Sequence, residues 1–142
     1  MCDLDGPDRS FGGRDVVDVL LVDDKEPIRT TVAEVLRTSS CSVKVACSAE
    51  AALEVLAHHE IGMILLDLRM PGLGGLGLLD AIDVLPPVVT LSAFNLRDDE
   101  LERVASKVLV QLKKPVNPRR LLDVVAETLE GSSSPLRRLS GR

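Results

Sequence analysis

Five times along the chain a short apolar run gives way to a stretch in which apolar residues recur with helical spacing. Residues 16–22 are almost continuously apolar, interrupted only by Asp18. Such a run suits a strand buried on both faces. Pro27 then stands near a helix start, and Ile28, Val32, Val35 and Leu36 share one face of that helix. Residues 42–46 form a second strand-like run, and Ser48 is placed to cap a helix through His58 that buries Ala52, Leu53, Val55 and Leu56. Residues 61–66 are the third run. A Pro/Gly-rich loop at 70–75 leads into a short apolar helix to about Val84, stopped by Pro86-Pro87. Residues 88–91 make the fourth run, with a helix over 97–105, and residues 108–112 the fifth. Asn117 caps a last helix with Pro118 at its first position and Leu121, Leu122, Val125 and Leu129 on one face. Strands alternating with helices predict an α/β fold, a doubly wound (βα)5 sandwich whose parallel sheet is covered on both sides. Ligands of such sheets bind beyond the carboxyl ends of the strands.

The flanks differ in character. Residues 1–14 carry Gly6, Pro7, Gly12 and Gly13 among charges and read as a flexible leader. Residues 131–142, with Ser132-Ser133-Ser134-Pro135 and then Arg137-Arg138, read as a flexible basic tail. One domain over residues 15–130 is expected between them, and 142 residues suffice for a single core. Phe11 and Phe94 are the sole aromatics, so that core is aliphatic and base stacking on single-stranded nucleic acid is disfavoured. A net charge of −5 also argues against a nucleic-acid or membrane-surface binder. The apolar runs fall far short of the roughly 20 residues that span a bilayer. Cys2, Cys41 and Cys47 have no C-x-x-C spacing, which fits a reducing cytoplasm without a disulfide framework.

Chemistry gathers at the strand ends. The first strand ends in Asp23-Asp24, the third in Asp67, the fourth in Ser92 and the fifth in Lys114. Three carboxylates on one rim repel one another, and a hard divalent cation relieves that repulsion. Mg²⁺ commonly completes its shell with phosphate oxygens. An aspartate can act as a nucleophile toward phosphorus, giving an acyl phosphate. Phosphoryl transfer asks mostly for alignment and charge neutralisation, which a metal, Lys114 and the Ser92 hydroxyl are suited to supply. Strand alternation sends Lys113 to the opposite face, toward solvent.

Val22-Asp23-Asp24, the segment Leu65-Leu66-Asp67-Leu68-Arg69-Met70-Pro71-Gly72 with Gly75, Leu91-Ser92-Ala93 and Lys113-Lys114-Pro115 together resemble the motif set of response-regulator receiver domains. The resemblance covers roughly residues 15–130, one motif per unit and in order. It implies a five-stranded parallel sheet of order 2-1-3-4-5. It further implies Asp67 as phosphoacceptor, and Asp24, Asp23 (mainly through water), Asp67 and the Arg69 backbone carbonyl as the ligand set for Mg²⁺ or Mn²⁺. Ser92 matches the hydroxyl that swings toward the phosphate, and Lys114 the lysine that contacts it. The phosphodonor implied is a phosphohistidine on a sensor histidine kinase or phosphotransfer protein.

The sequence departs from that family in two places. Gln111 stands where the fifth strand normally carries a switching Tyr or Phe, and Lys107-Val108 replaces the usual Gly-Ala, which bears on how the fourth helix is placed. Arg69 and Phe94, each two residues past a motif residue, are expected to border the phosphate and influence its lifetime.

The resulting expectation is a stand-alone cytoplasmic receiver in two-component signalling, since only about a dozen residues follow the last helix. It would not be an enzyme beyond catalysing its own phosphorylation and dephosphorylation. Its output would be a changed protein surface formed by the fourth helix, fifth strand and fifth helix, in a monomer or phosphorylation-dependent dimer. One rival is a phosphate-independent receiver-like interaction module, which Gln111 favours mildly. Another is a metal-dependent phosphohydrolase, for which no further acid or base stands out. His58 and His59 at a helix end suit the helix dipole rather than a metal or phosphodonor role. The apolar stretch Leu76 to Leu85 reads as core, with a partner contact as the alternative.

Overall fold

A computed structural model describes residues 9–11, 14–39, 41–68, 74–82, 86–92, 98–114 and 116–130. In chain order the elements are β1 (Arg9–Phe11), β2 (Arg14–Val22), α1 (Glu26–Arg37), β3 (Val43–Ala46), α2 (Ala49–His58), β4 (His59–Asp67), α3 (Gly74–Ala81), β5 (Val88–Ser92), α4 (Asp98–Lys107), β6 (Val110–Lys113) and α5 (Pro118–Glu130). β3, β2, β4, β5 and β6 lie side by side and all run parallel. Counting only these five, the order is 2-1-3-4-5, as the resemblance implied.

The two faces of the sheet are covered by different helices. Val19, Leu21, Met63, Leu65, Val89 and Leu91 pack with residues of α1 and α5. Leu20, Val22, Ile64, Leu66 and Val88 pack with residues of α2, α3 and α4. Burial on both sides is why the strands read as unbroken apolar runs. Along α5, Val124 and Thr128 are buried together with Leu121, Val125 and Leu129, whereas Leu122 is only half-buried. The face is thus rotated slightly from the one expected.

The caps follow the sequence. The Ser48 hydroxyl accepts from the Ala51 amide at 3.0 Å. Asn117 Oδ1 accepts from the Arg119 and Arg120 amides at 2.8 and 3.3 Å. These side chains satisfy amides that a helix start leaves without intrahelical acceptors. At the other end of α2, ring nitrogens of His58 and His59 lie 3.0 and 3.1 Å from the Glu54 and Val55 carbonyls, consistent with a helix-end role. β4 begins directly at His59, two residues before the expected start.

One part of the leader is not as expected. Arg9–Phe11 pair antiparallel with Arg14–Val16 and extend the edge of β2. β3 takes the same edge further along, opposite Val19 to Val22. Among the described residues this short antiparallel strand is added to the five parallel strands expected. Residues 1–8, 12–13 and the tail 131–142 lie outside the described residues.

The Lys107-Val108 departure has a structural counterpart. α4 runs on to Lys107, whose ammonium donates to the Leu79 carbonyl at 3.3 Å and pairs with Asp80 at 3.4 Å. A cation at the last carbonyls of α3 complements that helix's dipole and ties α4 to it.

Candidate functional site

The carboxyl ends of β2, β4, β5 and β6 meet on one rim, and the register of the sheet decides which side chains meet there. Val22 pairs with Leu66 and Asp67 with Leu91, so Asp23 and Asp67 emerge at the same height. Ser92 pairs with Lys113, and the Lys114 amide donates to the Ser92 carbonyl at 2.8 Å. This bond holds the end of β6 against the end of β5 and aims Lys114 across the rim.

Asp23 is wholly buried and anchored on all sides. Its amide donates to the Ala46 carbonyl at 3.1 Å, fixing the exit of β2 against β3. Its Oδ1 accepts from the Lys25 amide at 3.0 Å, and its Oδ2 accepts from Lys114 Nζ at 3.1 Å. Its backbone carbonyl accepts from Arg29 Nη1 at 2.9 Å. Asp67 is also buried. Lys114 Nζ lies 3.6 Å from its Oδ1, and its Oδ2 is buried as well. Asp24 is half-buried, and its Oδ1 lies 3.4 Å from Lys25 Nζ.

Asp23, Asp24 and Asp67 each bring a carboxylate oxygen within 4.8 Å of the others. Oxygen donors gathered so closely are the set a hard divalent cation takes, so the residues present fit Mg²⁺ or Mn²⁺. Lys114 bridges two of the three carboxylates and offsets part of their repulsion. The Asp24 carboxylate holds the Lys25 ammonium above its usual 10.5, against a smaller opposing effect of burial.

α3 approaches this rim more closely than a side chain would allow. A Cβ at Gly75 would lie 2.7 Å from the Asp67 carbonyl oxygen and 2.8 Å from the Leu68 Cα. Gly75 is therefore required for contact between the helix start and the end of β4. The left-handed backbone belongs to its neighbour, Gly74, at φ 76°.

Asp23, Asp24, Asp67 and Lys114 thus come together as the sequence suggests, and Ser92 ends the neighbouring strand, buried, beside them. Lys113 and Gln111 are exposed on β6. The Arg69 carbonyl and Phe94 lie outside the described residues, as does the Met70-Pro71-Gly72 turn. Two contributors were missed. Arg29 is six residues past Asp23, in the first turn of α1, where a long side chain can fold back over the strand-to-helix loop. Lys25 was visible as a charge beside Asp24, but nothing in its spacing says which carboxylate it meets.

An open parallel sheet of this order, with an acidic cluster and a lysine on its carboxyl rim, defines the class of fold and site. The profile described as "Response regulator receiver domain" matches residues 19–126, and the chain belongs to that family. It is 34% identical over 111 residues to the response regulator protein FleR of Pseudomonas aeruginosa, covering 76% of this chain and 24% of that protein. It is 29% identical over 120 residues to a putative response regulator NtrX-like protein of Rickettsia bellii, covering 81% of this chain and 25% of the relative. The chain spans about a quarter of the length of these two relatives. The solved receiver domain of the Francisella response regulator 1452 superposes with a TM-score of 0.71 at 25% identity, over 81% of this chain and 98% of that one. Among the described residues no helix is long and apolar enough to cross a membrane.

Proposed function

We propose that this chain accepts a phosphoryl group on Asp67 and signals by a change of surface, alone or within a longer regulator. The observation that carries the proposal is the placement of Asp67 within 4.8 Å of two further carboxylates and 3.6 Å from Lys114. In this reading an Asp67 carboxylate oxygen attacks the phosphorus of a phosphohistidine on a sensor kinase or phosphotransfer protein. The O–P bond forms as the N–P bond breaks, and the departing imidazole nitrogen recovers a proton. Asp23, Asp24, Asp67 and the Arg69 backbone carbonyl would hold Mg²⁺ or Mn²⁺, which when bound would neutralise charge on the transferred group.

Lys114 changes partner in the course of the step. It pairs with Asp23 and Asp67 beforehand and turns to a phosphoryl oxygen afterwards, so the new dianion inherits a cation already at the rim. The Ser92 hydroxyl donates to another phosphoryl oxygen, drawing the end of β5 inward. Asp23 stays fixed by the Ala46 and Lys25 backbone and by Arg29. The chain turns over no external substrate in this reading and catalyses only its own phosphorylation and dephosphorylation. We place it in the cytoplasm, with the α4-β6-α5 face read by a protein partner and dimerisation, if any, following phosphorylation.

A second reading is a receiver-like module that signals without phosphate. The exposed Gln111, where an aromatic side chain would couple Ser92 to the output face, favours it. Incubation with Mg²⁺ and acetyl phosphate, followed by intact mass, separates the two. The first reading expects one Mg²⁺-dependent phosphate adduct that Asp67→Asn lacks. No adduct, where another receiver is labelled under the same conditions, would favour the second.

A further inference from the structure

Among the residues around the acidic cluster, Lys25 has no role in the chemistry described so far, yet its position is particular. Its amide is held by Asp23 Oδ1, which fixes the backbone at the very start of the loop. From there its ammonium reaches the Asp24 carboxylate at 3.4 Å and remains more than half exposed. Asp24 is the most accessible of the three clustered carboxylates. Lys114 covers the other two from the opposite side of the rim. Three carboxylates thus face two ammoniums, and each carboxylate has a lysine within ion-pair distance.

A cation entering this cluster would draw on the Asp24 carboxylate that Lys25 now faces. We propose that Lys25 is a tethered competitor for the metal: its ammonium occupies the Asp24 side of the pocket and must swing away when a divalent cation binds. The inference rests on the metal-holding reading of Asp23, Asp24 and Asp67, and deepens it by naming a residue of this chain that sets the affinity. Lys25 is well suited to such exchange because its stem is long and its head is solvated, so release costs little. The same exposure limits the size of the effect, since exposed ion pairs contribute modestly and are screened by salt.

Titration of the whole chain with MgCl2 alone, followed by calorimetry at low ionic strength, tests this without any phosphodonor. Lys25→Gln is expected to bind Mg²⁺ about two- to fivefold more tightly than the unaltered chain. Lys25→Arg, which keeps the charge, should stay near the original affinity. The gap between Lys25→Gln and the unaltered chain should narrow as NaCl is raised. Unchanged or weaker binding by Lys25→Gln would overturn the inference. Asp24→Asn serves as the control for the pocket itself. Binding that Asp24→Asn weakens, together with equal affinities in the unaltered chain and Lys25→Gln, would reject the role of Lys25 alone. No measurable binding by the unaltered chain would contradict the metal pocket and, with it, this inference.

Discussion

Two aspartates on the first long strand are both buried, five residues apart, and their surroundings could hardly differ more. Asp18 is bound by a reciprocal pair: its amide donates to the Ser42 hydroxyl at 2.9 Å, and its Oδ2 accepts from the Ser42 amide at 3.0 Å. That pair stitches β2 to the segment entering β3. Asp23, at the strand's end, also takes one backbone amide, but its other oxygen faces Lys114, which it shares with Asp67. The Asp18 carboxylate takes a backbone amide, a group that cannot leave. Asp23 and Asp67 are held in part by an ammonium that can. A buried carboxylate tied to fixed backbone donors is a structural element, whereas crowded carboxylates sharing a movable cation are poised for exchange.

The sharpest way to break the comparison is to exchange the two roles. Asp67→Asn should abolish the phosphate adduct completely while leaving a folded chain, whereas Asp18→Asn should keep the adduct. Intact mass after acetyl phosphate treatment reads both, and loss of the adduct in Asp18→Asn would contradict the division.

Next in size is the response to metal. Mg²⁺ at about a hundredfold its dissociation constant should raise unfolding stability by about 2.7 kcal/mol. The gain should persist in Asp18→Asn and be largely lost in Asp24→Asn. Thermal or urea unfolding with and without Mg²⁺ measures it, and an equal gain in all three chains would place the cation elsewhere.

Asp18→Ala should itself cost about 1–3 kcal/mol, because it removes an acceptor from the buried Ser42 amide. Urea unfolding in metal-free buffer reads this cost, and a neutral result would show that the Asp18–Ser42 pair contributes little.

The smallest effect concerns Lys25. Asp24 raises its pKa in the folded chain, so the pair contributes at pH below the unfolded value of 10.5 and fades as pH rises through the folded one. Since Lys25 is more than half exposed, the contribution should be under about 1 kcal/mol. The difference in urea midpoint between the unaltered chain and Lys25→Met should shrink from pH 9 to pH 11; a difference that grew would reverse the sign.

Much of the rim could be read from residue order because it follows from a rule of connectivity. Parallel strands linked by helices end on one side, so Asp23-Asp24, Asp67, Ser92 and Lys114, each closing an apolar run, had to converge. The Ser48 and Asn117 caps were legible for a local reason, since capping depends on a few adjacent residues. The short β1 escaped because three residues among charges and glycines carry almost no periodicity. The Gly12-Gly13 pair between Phe11 and Arg14 was the available hairpin signal. Asp18 looked like a mere interruption, because its partner Ser42 is distant in sequence. The need for Gly75 was legible, but its cause was not, since the approach of α3 to the Asp67 carbonyl exists only once the helix is docked. Arg29 escaped for a similar reason: its partner is a backbone oxygen, which no side-chain motif reports.

The most direct measurement of the central claim identifies the bond itself. After labelling with acetyl phosphate and Mg²⁺, borohydride reduction converts an aspartyl phosphate to homoserine, and peptide mass mapping locates the converted residue. The account predicts homoserine at position 67 and at no other aspartate. Conversion at Asp23 or Asp24, or a phosphate adduct that resists reduction and maps to a hydroxyl or histidine, would contradict it.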